Sequence, residues 1–265
     1  MSQRSSYQIY PSLLDGWQNY LDAESNWESW YGGSDDPKIS LEEHLEAAEK
    51  SLLDSINRVP FESEAADRGT AFNEVVDCLI LGRKTEREDM EMSFSEDEIT
   101  VRFKEQEFAF DASLCRQLAI DYKDAIPQYH CVGVLDTKYG DVTLYGYIDE
   151  LLPDEVHDIK TTKRYEAFKF RDHWQHIVYP YCLNYEGVDV STFQYDVVKW
   201  GKDVTDWQVF TEYYEYVPER DIPRLRNHVE GLIEFVISRL EKITDKKIFN
   251  SLEGADERIN RYGTE

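Results

Sequence analysis

Apolar residues at helical spacing dominate the N-terminal part of the chain. They recur three and four positions apart over residues 7–31, which predicts a first helix there. Ser40 and Glu43 stand at the spacing in which two side chains cap the start of a helix, so a second helix is expected over residues 41–57. A third helix is expected over residues 66–82. The chain is therefore expected to begin with a helical region.

The middle of the chain changes to the apolar–polar alternation that is typical of strands. Residues 93–110 predict a hairpin or another set of paired strands, and Asp111 is placed to cap a short helix that runs through Tyr122. Three further strands are predicted at residues 129–137, 142–151 and 156–162. A tight turn joins the last two, because Pro153 fixes one backbone angle and lacks an N–H donor.

Helical and strand patterns alternate through the rest of the chain. A helix is predicted over residues 164–185, with an interruption at Pro180. Two aromatic-rich strands are predicted at residues 191–199 and 206–217, and a long helix over residues 219–243. Helices interspersed with strands predict an α/β fold.

The length of 265 residues is that of one domain of ordinary size with additions. We expect a single domain over residues 1–249, with N-terminal helices at 7–60, a core at 61–218 and a C-terminal helix at 219–249. The polar segment 250–265 is expected to be disordered.

Composition limits the cellular setting and the kind of metal site. The sequence has no apolar run near the roughly 20 residues that cross a bilayer, and its N-terminus lacks an apolar signal core, so a cytosolic protein is expected. The cysteines form no Cys-x-x-Cys pair and are expected to be buried thiols; they are Cys78, Cys115, Cys131 and Cys182. His173 and His176 lie three apart, but no third ligand stands at zinc-binding spacing, so zinc is not expected.

Two neighbouring predicted strands carry side chains that suit a divalent cation. Asp158 and Lys160 lie two apart and share one strand face, whereas Ile159 points into the core. The turn at Pro153 brings Asp149 close to Asp158. One cation can bridge both carboxylates and the Ile159 carbonyl, with Lys160 placed to orient an attacking water or to offset charge on a phosphate. The simpler alternatives are a turn-capping carboxylate at Asp149 and a surface ion pair between Asp158 and Lys160.

Gln175 and Tyr179 lie one helical turn apart on the helix that follows, and so share a face. Gln175 can bind a water or position Lys160. Tyr179 can stack on a base, reach a phosphate or pack in the core.

These motifs resemble the PD-(D/E)XK nuclease superfamily, in particular its RecB-like exonuclease branch. The matching motifs are Gly-x-x-Asp at 146–149, Asp-Ile-Lys-Thr-Thr at 158–162 and Gln-x-x-x-Tyr at 175–179. Upstream, that branch carries Gly-x-x-x-His with an acidic residue four positions later. This chain has Gly69, Asn73 and Asp77 there, so asparagine replaces the histidine. The segment from Tyr10 to Leu14 also resembles the short entry helix of that branch.

The resemblance implies a restriction-endonuclease-like fold, with a mixed central sheet flanked by helices. It also implies a Mg²⁺- or Mn²⁺-dependent DNA exonuclease that serves recombination, replication or repair, encoded by a phage or another mobile element and acting in the host cytosol. The implied catalytic residues are Asp149, Asp158, Lys160, Gln175 and Tyr179. The implied metal ligands are Asp149, Asp158, Ile159 and Asn73, and the implied substrate-binding residues are Thr161, Lys163 and Arg164. Because no cysteine follows Cys182, the iron–sulfur cluster of some members is not expected.

Charge is the strongest argument against this interpretation. A formal net charge of −25 repels nucleic acid at long range. A metal site uses some of the carboxylates, and one local run is basic: Lys160, Lys163, Arg164, Lys169 and Arg171. Lys163 and Arg164 either hold substrate phosphates or form a solvated helix start, and the acidity otherwise serves solubility. A chain this acidic is expected to need a basic protein partner or a homo-oligomer to hold DNA.

The asparagine at position 73 leaves open whether the protein is catalytic. Its amide oxygen can bind Mg²⁺ but is a weaker ligand than imidazole for Mn²⁺. Asn73 is either a ligand or a support for one, and Glu74 or Asp77 can substitute for it. A noncatalytic nuclease-fold module that binds DNA or protein is therefore the first alternative, and a structure-specific endonuclease is the second.

Overall fold

A mixed β-sheet forms the centre of the protein in a computed structural model, which describes residues 7–34 and 36–249. The strands of these residues are β1 (Tyr7–Ile9), β2 (Met90–Phe94), β3 (Glu98–Phe103), β4 (Gln106–Asp111), β5 (Ile126–Leu135), β6 (Val142–Leu151), β7 (Glu155–Thr162), β8 (Thr192–Trp200) and β9 (Trp207–Glu215). The α-helices are α1 (Pro11–Leu21), α2 (Ala23–Tyr31), α3 (Leu41–Ile56), α4 (Glu64–Leu81), α5 (Ala112–Asp121), α6 (Gln175–Glu186) and α7 (Pro218–Ile237). The predicted α/β class is confirmed.

The central sheet has the strand order β1-β6-β7-β8-β9, and β5 pairs with β6 as well. β1 is parallel to β6 and β7 is parallel to β8, whereas the other pairs are antiparallel. Because β5 follows β6 along its whole length, β1 and β7 share the opposite edge of β6. β1 pairs there with residues 142–144, and β7 pairs only with Glu150 and Leu151. Among the described residues, the stretch 145–149 of β6 has no strand on that edge.

Alternating residues of β8 face two different hydrophobic cores. Phe193, Tyr195 and Val197 belong to the core that α1, α6 and α7 cover. Val198 and Trp200 belong to a second core, which α4 and α5 share with the antiparallel sheet β2-β3-β4. The central sheet therefore separates α6 from α4, and a residue of β7 can be reached from either side.

Several predicted elements are confirmed together with their caps. The Ser40 side chain accepts a hydrogen bond from the Glu43 N–H, and the Glu43 carboxylate accepts one from the Ser40 N–H, as the capping pattern predicts. Asp111 Oδ1 accepts a hydrogen bond from Leu114 N–H at 2.9 Å, which fixes the start of α5. The predicted strands 129–137, 142–151 and 156–162 correspond to β5, β6 and β7.

The predicted helix 7–31 is wrong at its start and at its centre. Tyr7–Ile9 form strand β1, and the helical part is divided at Asp22 into α1 and α2. Three residues are too few to show an alternation in the sequence, and β1 is held by its partner β6. The predicted hairpin at 93–110 is one strand short, because β2, β3 and β4 form a three-stranded sheet.

The predicted helix 164–185 is wrong in its first half. The observed helix α6 begins only at Gln175, and it continues through Pro180. Upstream, the Glu212 carboxylate of β9 accepts hydrogen bonds from the backbone N–H groups of Lys169 and Phe170, at 3.1 and 3.3 Å. These N–H groups bond to a side chain in place of a helical carbonyl, so the segment forms turns.

The C-terminal helix is shorter than predicted and ends at Ile237, after which two single 3₁₀ turns follow at Leu240–Lys242 and Lys246–Ile248. Segment 250–265, which is expected to be disordered, lies outside the described residues. Within residues 7–34 and 36–249, none of the helices combines the length and the hydrophobicity that a membrane crossing demands.

Gly146 of β6 should be intolerant of a side chain, because a Cβ there would lie 2.5 Å from Cε1 of Tyr179. We expect Gly146→Ala to lower the free energy of unfolding by about 1–3 kcal/mol, measured by chemical denaturation. Gly33→Ala, where nothing lies within 4 Å of the new Cβ, should change it by less than about 0.5 kcal/mol. Adding Tyr179→Leu to Gly146→Ala should recover part of the loss. Equal effects of the two glycine substitutions would show that Tyr179 does not pack on Gly146.

Candidate active site

The site forms where β6 and β7 separate. Glu150 pairs with His157, so the next positions along the two strands are Asp149 and Asp158. There the strands no longer exchange backbone hydrogen bonds. Instead, Asp149 Oδ2 accepts a hydrogen bond from the Ile159 N–H at 3.0 Å. A side-chain carboxylate thus takes the place of a missing strand partner.

The carbonyl of Ile159 is directed to the same opening. In an extended strand the N–H and the C=O of one residue point to the same edge. Since the Ile159 N–H points to Asp149, its carbonyl oxygen faces the gap between the strands as well. This orientation agrees with the oxygen ligand that the sequence resemblance implies for Ile159.

Asp158 is buried on the side of the sheet that α6 covers, with 1% of its surface exposed. Lys160 Nζ lies 2.7 Å from Asp158 Oδ2 and also lies over the ring of Tyr195, 5.6 Å from its centre. From α6, Gln175 Nε2 donates a hydrogen bond to Asp158 Oδ1 at 2.5 Å. Both oxygens of the carboxylate are therefore held by residues that the sequence assigned to the site.

Asn73 reaches the site from the opposite side, on α4. Its Nδ2 donates a hydrogen bond to Asp149 Oδ2 at 3.0 Å. Its Oδ1 is buried and accepts no hydrogen bond from the described residues. One turn earlier on α4, a Cβ at Gly69 would lie 3.3 Å from Thr161 Oγ1 of β7. The glycine lets the helix approach the strand, and that approach brings Asn73 to Asp149.

Two carboxyl groups share one lysine in this cluster, so a negative charge on both of them is disfavoured. Burial, followed by the charge of Asp158, raises the pKa of Asp149 to about 8. Burial also raises the pKa of Asp158, although Lys160 opposes that shift. Burial lowers the pKa of Lys160, but the charges of Asp158 and Asp149 more than offset this effect, so its pKa rises. Lys160 is therefore a cation, and the site favours a second positive charge.

The donor atoms of the cluster fit a hard divalent cation. Within the described part of the chain, no three His, Cys, Asp or Glu side chains form a metal-binding group. The cluster instead combines the carboxylates of Asp149 and Asp158 with two neutral oxygens, the Ile159 carbonyl and Asn73 Oδ1. Oxygen ligands with two carboxylates are what Mg²⁺ and Mn²⁺ prefer. The unpartnered Asn73 oxygen is the observation that fits a ligand best, since a buried oxygen without a donor is costly.

Tyr179 is part of the wall of the site. Its ring is buried against Gly146, and its hydroxyl lies 3.4 Å from Gln175 Nε2. Burial raises the pKa of Tyr179 well above its usual value, so the hydroxyl stays protonated. Of the alternatives at the level of sequence, core packing is a feature of this side chain, and contact with a base or a phosphate stays a prediction.

The predicted basic residues lie on the surface next to the end of β7. Lys163 and Arg164 are exposed. Lys169 Nζ donates hydrogen bonds to Thr162 Oγ1 and to the Arg164 carbonyl, at 2.9 and 3.0 Å. Arg171 forms an ion pair with Asp172 at 3.5 Å. Thr161, predicted to bind substrate, lies next to α4, with its Oγ1 3.3 Å from the position that a Cβ at Gly69 would take.

Glu150 is a buried acid that the sequence interpretation missed. It is fully buried beside Asp77 of α4, which is 2% exposed. Burial, followed by the charge of Asp77, raises the pKa of Glu150 to about 10, and burial raises the pKa of Asp77 to about 6. Since two neighbouring buried carboxylates repel each other, at least one of these groups is favoured to keep its proton. Glu150 follows Asp149 in an apolar strand, and that setting was the available sequence signal.

The two acids proposed as substitutes for Asn73 differ in position. Asp77 lies next to Glu150, close enough for its charge to act on Asp149. Glu74 forms an ion pair with Arg83 at 3.3 Å. Asp77 is therefore the nearer substitute, and Glu74 has a partner elsewhere.

Comparisons with known proteins add little to this geometry. No protein-family model matches the chain, and no curated protein matches it. Among solved structures, the chain is similar to one described as the crystal structure of SSO0001, with 12% sequence identity and a TM-score of 0.43. The alignment covers 88% of this chain and 78% of that one.

Because of these buried acids, we expect the free energy of unfolding to fall as the pH rises. A carboxyl group whose pKa is raised in the folded state holds its proton above pH 4.5, whereas the unfolded chain releases it, so unfolding becomes easier up to the folded pKa. For metal-free protein, we expect Glu150→Gln to raise the free energy of unfolding at pH 8 by about 1–3 kcal/mol and to change it less at pH 5. The measurement is urea denaturation at both pH values.

Glu107→Gln is the matched control, because its side chain is 60% exposed. It removes the same charge from the acidic chain and should leave the difference between pH 5 and pH 8 unchanged. A Glu150→Gln variant that keeps the full pH dependence of the wild type would show that Glu150 does not carry the effect.

Proposed function

We propose that the protein is a Mg²⁺- or Mn²⁺-dependent DNA exonuclease with a restriction-endonuclease-like core of the PD-(D/E)XK type. The observation that carries the proposal is the cluster at the separation of β6 and β7. Asp149 and Asp158 lie side by side, Lys160 Nζ is 2.7 Å from Asp158, and Asp158 is buried while Asp149 and Lys160 are partly exposed. Two sequence motifs thus converge on one group of ionisable side chains.

Each side chain has a role that follows from its position. Asp149 and Asp158 would hold the metal, together with the Ile159 carbonyl and Asn73 Oδ1. The bound ion supplies an activated water and offsets charge on the phosphate. Lys160 donates N–H bonds to the attacking water or to the phosphate, while Asp158 fixes its position. Gln175 keeps the Asp158 carboxylate in one orientation, which preserves the geometry of the group.

Substrate phosphates would be held by the exposed Lys163 and Arg164, which directly follow β7. Their position next to the cluster supports DNA as the substrate, whereas the net charge of −25 limits how many phosphates the protein can neutralise. A basic partner or an oligomer of this chain would supply further contacts for processive work.

A noncatalytic binding module is the second candidate. The observation that favours it is the bond between Asn73 and Asp149, which ties up a carboxylate oxygen with an amide where the family carries a histidine. A structure-specific endonuclease is the third, and it shares the chemistry described above.

Catalysis is the first expectation of the proposal. The purified protein should degrade end-labelled linear DNA with Mg²⁺ or Mn²⁺ and be silent in EDTA. Asp158→Asn and Lys160→Ala should each lower the rate by about 10²-fold or more, because the first removes a proposed metal ligand and the second removes a group that stabilises charge at the phosphate. Asp154→Asn, an exposed carboxylate in the turn between β6 and β7, is the control and should retain full activity.

The form of the DNA separates the candidates. Linear DNA should be degraded and covalently closed circles spared, whereas equal cleavage of both indicates the endonuclease. A wild type that is inert with every divalent metal and every form of DNA supports the binding module.

Asn73→His should change the metal preference. Imidazole is a better ligand than an amide oxygen for Mn²⁺, so the variant should gain activity in Mn²⁺ more than in Mg²⁺. The measurement is the ratio of rates in the two metals for wild type, Asn73→His and Asn73→Ala. If the ratio is the same in all three proteins, Asn73 does not lie near the metal, and Asp77 becomes the next residue to substitute.

A further inference from the structure

A cavity of about 300 Å³ opens beside the proposed active site. Gln175 and Tyr179 line it, and the same Gln175 donates a hydrogen bond to Asp158. One side chain therefore separates the cavity from the metal-binding carboxylates. Its other walls come from the start of α1, from β6 and from the loop after α3.

The cavity has the opposite electrostatic character to the rest of the molecule. The chain has 54 acidic and 29 basic side chains, but among the described residues that line the cavity none is Asp or Glu and one is Arg58. The remaining polar lining includes the hydroxyl groups of Ser12, Tyr145 and Tyr147. A cavity with a cation, hydroxyl donors and no carboxylate suits an anion.

Contacts with its neighbours hold Arg58 in place and leave some of its N–H donors for a ligand. Its Nη2 donates a hydrogen bond to Tyr145 Oη at 3.1 Å, its guanidinium lies over the ring of Tyr10, and its Nε forms an ion pair with Asp245 at 3.8 Å, which offsets part of its charge. A guanidinium has five N–H donors, so these contacts leave others for a ligand.

The backbone at Arg58 is also unusual, with φ at 53° in the left-handed region. An arginine in that region carries a conformational cost, and such costs concentrate at functional sites. The neighbouring Asn57 clamps the loop through hydrogen bonds to the Lys242 carbonyl and the Thr244 N–H, at 2.9 and 2.7 Å. The loop is thus fixed with Arg58 directed at the cavity wall.

The start of α1 adds to this character. Pro11 is its first residue, no side chain caps it, and its first turn carries no acidic residue. Pro11 has no N–H and the Leu13 N–H bonds to the Tyr10 carbonyl, so the contribution comes from the helix dipole and the N–H of Ser12, which favour negative charge.

We propose that this cavity binds a terminal phosphate of a DNA strand, with Arg58 as the residue that recognises it. The inference rests on the proposed nuclease function, because it places a strand end beside the cleavage site. A terminal phosphate monoester carries up to two negative charges and three acceptor oxygens, which match a guanidinium fork and neighbouring hydroxyls. The tyrosines around the cavity offer a surface on which the last base can stack.

This assignment gives the enzyme a reason to act at ends. A strand whose end is fixed in the cavity passes Gln175 and reaches the carboxylates at a set distance from its terminus. Internal DNA lacks the terminal phosphate and gains nothing from Arg58.

The test measures binding in Ca²⁺, without Mg²⁺ or Mn²⁺. The probes are short fluorescent single strands of one sequence with a 5′-phosphate, a 3′-phosphate or hydroxyl groups at both ends. One phosphorylated end should bind about tenfold more tightly than the hydroxyl strand, since a hydrogen bond to a charged group contributes at least that much. The end that shows the preference identifies the polarity.

Arg58→Asn should abolish the preference, and asparagine tolerates the left-handed backbone, so the loop should keep its shape. Arg87→Asn, which removes a charge from an exposed loop elsewhere, should retain the preference. Arg58→Gln is the second variant, and circular dichroism with thermal melting confirms that the variants fold.

Three outcomes overturn the assignment. The first is equal affinity of the wild type for strands with all three kinds of end. The second is a preference for a phosphorylated end that survives Arg58→Asn. The third is a loss of affinity in Arg58→Asn that is the same for all strands, which indicates that Arg58 binds an internal phosphate. Because binding is measured without cleavage, a phosphate preference in a protein that never cuts DNA rejects the nuclease and keeps the phosphate site. Cleavage of DNA without any preference for a phosphorylated end rejects the phosphate site and keeps the nuclease.

Discussion

The burial of two carboxylates beside a single lysine is the constraint on which the rest of the site depends. Asp149 and Asp158 cannot both be charged at this position without compensation, and Lys160 supplies only part of it. The structure compensates further with neutral donors, the Ile159 N–H and the amide of Gln175. Without a cation the second negative charge remains disfavoured and the pKa of Asp149 is raised, whereas a bound cation would favour its ionised form. A folded chain tolerates this arrangement where function requires it.

The separation of β6 from β7 makes that arrangement possible. If the two strands continued their ladder past Glu150, the Ile159 N–H would bond to a backbone carbonyl, and Asp149 would have no role in the sheet. Because the strands part, helices on both sides can contribute, α4 through Asn73 and α6 through Gln175. Gly69 and Gly146, the first residues of two of the sequence motifs, each allow one of those helices to close on the sheet. The motif glycines therefore have a packing explanation that is independent of any resemblance.

Local patterns predicted much of this structure, and long-range pairings account for what was missed. The turn at Pro153 and the period of two placed Asp149 near Asp158, and the four-residue helical repeat placed Gln175 and Tyr179 on one face. Strand β1 was missed, since three residues give no period and its pairing with β6 spans more than a hundred positions. The start of α6 was misplaced because Glu212, over forty residues later, satisfies the backbone of Lys169 and Phe170. Arg58 was missed for the same reason, because nothing near it in the sequence indicates Tyr145.

If the protein binds DNA as proposed, the acidity of the chain would act on that binding more than on the chemistry of the site. At physiological ionic strength charges are screened beyond about 8 Å, so a phosphate at the cluster responds mainly to its immediate neighbours. Those neighbours are Lys160 inside the site, Lys163 and Arg164 at the end of β7, and Arg58 at the cavity. The distant carboxylates would reduce the rate of encounter with DNA, which depends on the long-range field, and would disfavour contact with DNA outside this small region. A nuclease built this way would hold its substrate at few points, and the placement of those points would decide which DNA it cuts.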